Sequence, residues 1–167
     1  DLYDPVGVVG TRAALVVVHG GGFEGGDKAH PAYVALAEAF AAHGLVVAVV
    51  NYRLRADTYP DYPVASVDAQ HDVQAAVRWL RAHAVELRID PARIAVTGHS
   101  AGAITALRVG THPDDPGTSG NPDEPSTVAV VLGVSGFLPG GVGTATPPLR
   151  LLHGTDDPLI PLPWADT

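Results

Sequence analysis

A serine between two glycines is the residue of this sequence whose surroundings most clearly indicate chemistry. Residues 98–102 read Gly-His-Ser-Ala-Gly, the pattern G-x-S-x-G, between an apolar segment at Arg93–Thr97 and a helical segment that begins at Ala101. In such a strand–turn–helix context the pattern presents a nucleophilic serine on a sharp turn. Side chains two residues to either side would collide there, which explains the glycines. We predict that Ser100 is a nucleophile; the alternative is a tight turn whose serine has no role.

Three consecutive glycines near the start of the chain form a second candidate element. Residues 19–23 read HGGGF and follow an apolar segment. Glycines let the backbone approach a ligand closely and direct several amide N–H groups at one point, which suits the oxyanion formed when a hydroxyl attacks an ester carbonyl. A phosphate-binding loop is the alternative, but its G-x-G-x-x-G and Gly-Lys-Ser/Thr patterns are not present. We predict that His19 anchors this loop by hydrogen bonding rather than acting as a base.

A carboxylate follows the last apolar segment. Residues 153–158 read HGTDDP. An enzyme built on a sheet, with the order serine, acid, histidine, places the acid that orients its histidine at the carboxyl end of such a strand. Asp157, directly before proline, fits this role better than Asp156. The structural alternative is an Asp-Pro pair that only starts a loop.

Apolar segments alternating with helical spacing must position these residues. Near-continuous apolar runs are typical of strands covered on both faces; they lie at Ala14–Val18, Leu45–Val50, Ile94–Val96, Val128–Leu132 and Leu149–Leu152. Helices are predicted at Pro31–Ala42, Val67–Leu87 and Ala101–Val109, and Asp90-Pro91 predicts a brief turn before the third strand. On the first helix the expected apolar face is Tyr33, Leu36, Ala37 and Phe40. The alternation predicts a mostly parallel sheet with helices on both faces and its functional loops at one edge.

Length and composition are those of one globular domain over residues 1–167. The chain is 46% hydrophobic and 17% charged, with a net charge of −8, which argues against nucleic acid or an anionic membrane surface as a partner. It has no cysteine, which excludes disulfides, thiolate nucleophiles and cysteine-based metal centres. No apolar run approaches the about 20 residues that span a bilayer. We expect a small-molecule substrate, no cofactor and no metal.

Residues 112–126, called here the acidic loop, are rich in proline, glycine and aspartate and predict a surface loop. Clustered oxygen ligands suit a hard cation such as calcium. The candidate ligands are Asp114, Asp115, Asp123 and Glu124, but their spacing is not that of an EF-hand. A solvated acidic loop is therefore favoured over a calcium site.

Five motifs in order resemble those of the α/β-hydrolase superfamily, specifically carboxylesterases with an HGGG loop: the hormone-sensitive-lipase-like and the feruloyl or acetylxylan esterase-like groups. They are HGGGF (19–23), NYRL (51–54), DVQAAVRWL (72–80), DPARIAVTGHSAGA (90–103) and HGTDDPLIP (153–161). The resemblance implies an α/β-hydrolase fold with Ser100 as nucleophile and Asp157 as triad acid. It also implies an oxyanion hole formed by the amides of Gly21, Gly22 and Ala101. Arg53 and Asp72 are expected to pair as buried polar anchors.

Two departures distinguish the sequence from the hormone-sensitive-lipase-like group. His99 and Asn51 stand where that group commonly has aspartate, and its N-terminal cap has no counterpart here. These departures favour the feruloyl or acetylxylan-like group and an open site. The Gly/Pro stretch at 136–148 is too short for a lid domain. We therefore expect short-chain or aromatic acyl esters, carbohydrate esters included, rather than long-chain triglycerides.

The resemblance places the catalytic histidine a few tens of residues after the acid, but residues 158–167 contain no histidine. A serine hydroxyl needs an adjacent base at neutral pH. We expect the final strand, a helix and the base to lie beyond Thr167, so that the hydrolase domain of residues 1–167 is truncated at its C-terminus. The alternatives are a substitute among His19, His99 and His153, or completion by another chain at an exposed sheet edge, which would also permit homo-oligomers.

Together these features predict a serine carboxylester hydrolase that acts through an acyl-enzyme. A peptidase or amidase of the same fold is one alternative, because amide hydrolysis uses the same nucleophile and acid. The other alternative is a binding protein that has the hydrolase fold but no catalytic activity. The lack of a histidine in residues 158–167 favours this alternative.

Overall fold

A single sheet carries the candidate residues. The computed structural model describes residues 1–56, 62–139 and 146–165, and in these ranges the strands are β1 (Leu2–Tyr3), β2 (Arg12–Val18), β3 (Val46–Val50), β4 (Ile89–His99), β5 (Val130–Val134) and β6 (Leu149–Leu152). Their spatial order is β1-β3-β2-β4-β5-β6. Only β1 runs antiparallel to its neighbour, and the other four pairs are parallel. The predicted mostly parallel sheet is confirmed.

Helices cover both faces of this sheet, as predicted. They are α1 (Pro31–Ala42), α2 (Tyr62–Ala82), α3 (Ala101–Thr111) and the short α4 (Leu162–Ala165). Leu15 and Val17 of β2 pack in one core with Ala37 of α1, whereas Val16 and Val18 pack in the opposite core with α2 and α3. Because side chains alternate across a strand, one continuous valine-rich run supplies both cores. None of the described helices is long and apolar enough to cross a membrane.

Several element boundaries differ from the sequence prediction. Helix α1 has the predicted bounds, but of its expected apolar face only Ala37 is fully buried and Leu36 is 39% exposed. Helix α2 begins five residues before Val67 and ends at Ala82 rather than Leu87. Its end tightens where Ala84 N–H bonds to Arg81 O at 3.1 Å, and Arg88 then adopts a positive φ of 51° that a helix cannot contain. Strand β5 is present as predicted, but it covers Val130–Val134 and so lies two residues later than the predicted Val128–Leu132.

The Asp90-Pro91 turn predicted before the third strand does not interrupt it. Strand β4 is continuous from Ile89, and the prediction of a separate turn was wrong. The local hydrogen bond of such a turn is nevertheless present, because Asp90 Oδ1 accepts from Ala92 N–H at 3.0 Å. The register of β4 against β2 shifts over this segment. The local turn is therefore accommodated as an irregularity within the strand. Strand β1 and helix α4 were not predicted, since both are too short for a periodic pattern.

The acidic loop is fastened along α2 rather than extended into solvent. Arg78 is 1% exposed and donates to Pro116 O at 2.8 Å, Gly120 O at 3.1 Å and Ser126 Oγ at 2.9 Å, as well as to the carbonyl of Ser119. Gln70 and Gln74 donate to two further carbonyls of the loop. Burial lowers the pKa of Arg78, and the carbonyl dipoles compensate its buried charge.

Candidate active site

Ser100 stands on a strained corner between β4 and α3. Its backbone has φ 55° and ψ −121°, a combination that side-chain-bearing residues rarely adopt. A Cβ added to Gly98 would lie 2.2 Å from Gly102 O, and one added to Gly102 would lie 2.3 Å from Val18 O. Both positions therefore require glycine, as predicted. The corner holds the half-buried Ser100 at the N-terminus of α3.

Residues 19–26, called here the glycine loop, lie directly beside this corner. Gly21 and Gly22 have φ values of 127° and 63°, and a Cβ on Gly21 would lie 2.2 Å from Gly25 O. The loop closes on itself where Gly21 O accepts from Gly25 N–H at 3.0 Å. A Cβ on Gly20 would lie 3.2 Å from Ser100 Cβ, so the glycine loop and the serine corner are in near contact.

His19 is bonded within the glycine loop, as predicted. It is fully buried, its Nδ1 is 2.8 Å from Gly20 O, and its ring stacks on Tyr52 with centroids 4.4 Å apart. In the described part of the chain, its Nε2 has no hydrogen-bond partner. The enclosed His19 ring therefore anchors the glycine loop and is not exposed to a substrate.

The two elements open onto a cavity of about 1120 Å³. Gly20–Gly22, Ser100 and Ala101 line one side of it, together with Tyr33 and His99. The apolar part of the lining, called here the apolar wall, consists of Tyr62, Ile104, Phe137, Leu138, Leu159, Ile160 and Trp164. Phe137 contacts both Tyr62 and Trp164 edge to face, at centroid distances of 6.2 and 5.7 Å. Residues 140–145 of the stretch expected to be too short for a lid lie outside the described residues.

Asp157 is held in one orientation by the loop that follows β6. Its Oδ1 accepts from the N–H groups of Leu159 at 2.9 Å and Ile160 at 3.0 Å, and its Oδ2 lies 3.6 Å from His153 Nε2. The bonds from Ile160 and Leu159, aided by His153 and the Ser135 hydroxyl, lower the pKa of Asp157. Asp156 is exposed and makes no side-chain bond to any described residue. The arrangement favours Asp157 over Asp156 as an orienting carboxylate.

Three histidines were considered as substitutes for a base, and none is bonded to the serine. His153 Nε2 donates to Ile160 O at 2.6 Å, while its buried Nδ1 has no partner among the described residues. His99 lines the cavity, and His19 is enclosed as described above. Within the described ranges, no hydrogen bond joins Ser100 to an imidazole.

Arg53 and Asp72 pair as expected, but they are not buried. Arg53 N–H and Nε bond to Asp72 at 2.8 and 3.0 Å, and the bond to Asp72 raises the pKa of Arg53. The Arg53 side chain is 53% exposed, so the expectation of a buried anchor was wrong. Arg12 is buried instead, as is Arg78, which sequence reasoning missed. The signal for Arg78 was the polar stripe Gln70, Gln74, Arg78 at four-residue spacing on a helix.

Across residues 1–56, 62–139 and 146–165, no group of three or more His, Asp or Glu side chains could hold a metal ion. The acidic-loop carboxylates Asp114, Asp115, Asp123 and Glu124 form no such group. Asp115 contacts His71 Nε2 instead, at 3.1 Å.

Comparisons with known proteins point to esterases. The model of the BD-FAE family matches residues 1–137. Carboxylesterase NlhH of Mycobacterium tuberculosis is 45% identical over 103 residues, covering 60% of this chain and 30% of that protein. A chlorogenic acid esterase of Aspergillus niger is 33% identical over 106 residues, covering 61% of this chain and 20% of that protein. The chain thus spans less than a third of the length of these curated relatives.

Among solved structures, the propionate-bound thermophilic esterase Est2 of Thermogutta terrifontis superposes with a TM-score of 0.82. It is 26% identical, and the match covers 97% of this chain and 68% of that one. The fold of nearly the whole chain therefore has a counterpart in an esterase.

Proposed function

The chain belongs to the BD-FAE family and has the α/β-hydrolase fold, and from this premise we propose that the protein is a carboxylic ester hydrolase whose nucleophile is Ser100. The observation that carries the proposal is the near contact between the strained serine corner and the glycine loop at the floor of one cavity. A hydroxyl beside several directed amides is the arrangement that acyl transfer needs.

In the proposed reaction, Ser100 Oγ attacks the ester carbonyl and its proton passes to a base. The oxyanion accepts hydrogen bonds from the amides of Gly21, Gly22 and Ala101. Ala101 is the first residue of α3, so its N–H has no acceptor within the helix and the helix terminus favours negative charge there. The tetrahedral intermediate then collapses, and the alcohol leaves with the proton that the base had taken. Water attacks the acyl-serine by the same steps and releases the acid.

Asp157 is proposed to orient the base, and the base to be a histidine beyond Thr167. Support comes from the sequence, since residues 158–167 hold no histidine, and from the Est2 match, which covers only 68% of that protein. The carboxylate is suited to the role because its charged form is stabilised by the amides of Leu159 and Ile160. Its Oδ2 takes no such amide bond and can accept from an imidazole.

The substrate is proposed to carry a short or aromatic acyl group. The apolar wall offers three aromatic side chains in edge-to-face contact, which suits a planar or small apolar group. The relatives agree in kind: Est2 binds propionate, and the Aspergillus niger protein is a chlorogenic acid esterase. Carbohydrate esters are included in the proposal, since the polar side chains of Glu24, Asp27 and His30 also line the cavity.

The first experiment compares hydrolysis of p-nitrophenyl acetate by the full-length protein and by residues 1–167. Turnover by the full-length protein should disappear in Ser100→Ala and persist in Ser119→Ala, whose exposed hydroxyl lies in the acidic loop. Residues 1–167 should show at most trace turnover, because the proposed base lies beyond Thr167. Full turnover by residues 1–167 that depends on Ser100 would refute a base beyond Thr167, and turnover that survives Ser100→Ala would refute the nucleophile.

The second experiment fixes the substrate class with p-nitrophenyl esters of increasing acyl length, a methyl ferulate and a p-nitroanilide. We expect kcat/KM to fall for acyl chains beyond about eight carbons because a bounded cavity buries a limited ligand area. Steadily rising activity with length would contradict the proposal. Faster cleavage of the anilide than of the matching ester would favour the amidase alternative.

A further inference from the structure

Both polar atoms of one peptide bond in the glycine loop are held by tyrosine hydroxyls. Gly20 N–H donates to Tyr33 Oη at 2.7 Å, and Tyr52 Oη donates to His19 O at 3.0 Å. These are the N–H and C=O of the single peptide unit that joins His19 to Gly20. In a trans peptide the two groups point in opposite directions, so the unit is held from two sides and cannot rotate without losing a bond.

This peptide unit leads into the amides that the proposed function uses. Gly21 and Gly22 follow it directly, and glycines by themselves leave the direction of their N–H groups poorly determined. The loop therefore needs anchors outside its own sequence. Tyr52 supplies one from the end of β3, and it is 6% exposed and stacked on His19. Tyr33 supplies the other from α1, on the opposite face of the sheet.

Tyr33 differs from Tyr52 because it also lines the cavity. It is half-buried, stands on the same side as Ser100, and contacts His30 edge to face with centroids 5.8 Å apart. Through the Tyr33 hydroxyl, α1 is hydrogen-bonded to the glycine loop beside the cavity. We propose that Tyr33 is a positioning residue of the oxyanion hole: by accepting from Gly20 N–H it sets the direction of the Gly21 and Gly22 amides. The inference rests on the proposed function, because it assigns those amides to the oxyanion.

The test is Tyr33→Phe in the full-length protein, which keeps the ring and removes only the hydroxyl. The matched control is Tyr3→Phe, since Tyr3 is also half-buried on the α1 side of the sheet, lies outside the cavity, and has a hydroxyl with no hydrogen-bond partner among the described residues. We expect kcat to fall at least about tenfold in Tyr33→Phe with KM nearly unchanged, because misdirected donors weaken binding of the oxyanion and not of the ester. Affinity for phenylboronic acid, which forms a tetrahedral adduct with serine, should fall by a similar factor.

Two further measurements separate positioning from a general loss of structure. Amide hydrogen exchange at Gly20 should accelerate in Tyr33→Phe but not in Tyr3→Phe, while the melting temperatures stay within a few degrees of each other. Tyr52→Phe, which removes the opposite bond, should give the same division between kcat and KM. If the full-length protein shows turnover that depends on Ser100 and Tyr33→Phe matches Tyr3→Phe, the inference alone is wrong. If no turnover depends on Ser100, the proposed function fails and the inference fails with it.

Discussion

Individual residues at the site are held in backbone conformations that their neighbours impose. Ser100 and Phe23 both have positive φ values, of 55° and 65°, although neither is glycine. Such conformations cost about 1–3 kcal/mol each and persist only where surrounding contacts enforce them. Phe23 is buried against Tyr52, and Ser100 is fixed by Gly98 and the start of α3. Each of the two elements that meet in the cavity therefore contains a residue with a strained backbone.

Gly98→Ala should destabilise the fold, because the new Cβ would meet Gly102 O at 2.2 Å and backbone cannot move aside as a flexible side chain can. Overpacking of this kind costs about 1–3 kcal/mol. Gly25→Ala is the matched control, since its Cβ would meet nothing within 4 Å. Urea unfolding of both variants measures the difference, and equal stabilities would contradict the geometry of the corner.

Asp157→Asn should reduce stability in a pH-dependent way. The folded-state pKa of Asp157 is lowered, so its charged form stabilises the fold above the unfolded-state pKa, and this contribution is lost as the pH falls through the folded-state pKa. Asparagine can still accept from Leu159 and Ile160 but carries no charge. The stability difference from wild type should therefore be largest near neutral pH and shrink as the pH falls below about 4, the ordinary pKa of an aspartate.

Urea unfolding at several pH values checks this prediction, with Asp156→Asn as the control for removing a neighbouring exposed charge. A difference that is the same at pH 7 and in acid would mean that the charge of Asp157 plays no part in holding the loop.

At the scale of elements, α2 joins the sheet to the acidic loop. Its apolar side, which includes Val73, Val77 and Leu80, packs in the core, and its polar stripe binds carbonyls of the loop. Arg81 adds bonds to Pro91 O and Pro125 O, which connect the loop to the start of β4. One helix thereby fixes a segment that has almost no apolar residues of its own.

Arg78→Lys should loosen this loop, because an ammonium cannot reproduce the planar fork that bonds several carbonyls at once. We expect a loss of about 2 kcal/mol, as buried acceptors are left unpaired. Limited proteolysis should cut residues 112–126 faster, and urea unfolding gives the stability. Arg93→Lys, at an exposed position, is the control and should leave both measurements unchanged.

On the scale of the whole molecule, the two edges of the sheet differ. One edge strand is β1, an antiparallel strand of 2 residues, and the other is β6, a parallel strand of 4 residues with no described strand on its outer side. Leu152 at the end of β6 is 57% exposed, and Trp164 nearby in sequence is 53% exposed. An uncovered edge with apolar side chains is a template for another strand.

We propose that residues 1–167 self-associate through the β6 edge. Sedimentation velocity over a range of concentrations should show a dimer that Leu152→Lys weakens, because charge on an edge strand opposes pairing. Val85→Lys is the control, as Val85 is equally apolar and 93% exposed but lies far from this edge in the fold. A monomer at all concentrations, or equal effects of the two variants, would overturn the proposal.

Much of the architecture follows from local sequence, because side-chain periodicity and turn chemistry act over a few residues. The valine-rich runs specified strands buried on both faces, and the spacing at Pro31–Ala42 specified a helix with the observed bounds. Gly98 and Gly102 marked a corner that tolerates no Cβ. The order of the motifs placed the glycine loop, Ser100 and Asp157 after the carboxyl ends of parallel strands, on the same side of the sheet.

Only the tertiary structure decided which of these residues touch. Gly20 lies beside Ser100 although eighty positions of chain separate them, and Tyr33 and Tyr52 hold one peptide unit from different elements. The burial of Arg78 and the exposure of Arg53 likewise depend on where a distant loop packs. Such contacts depend on how whole elements stack, and no short stretch of sequence contains that information because the packing of both cores determines it together.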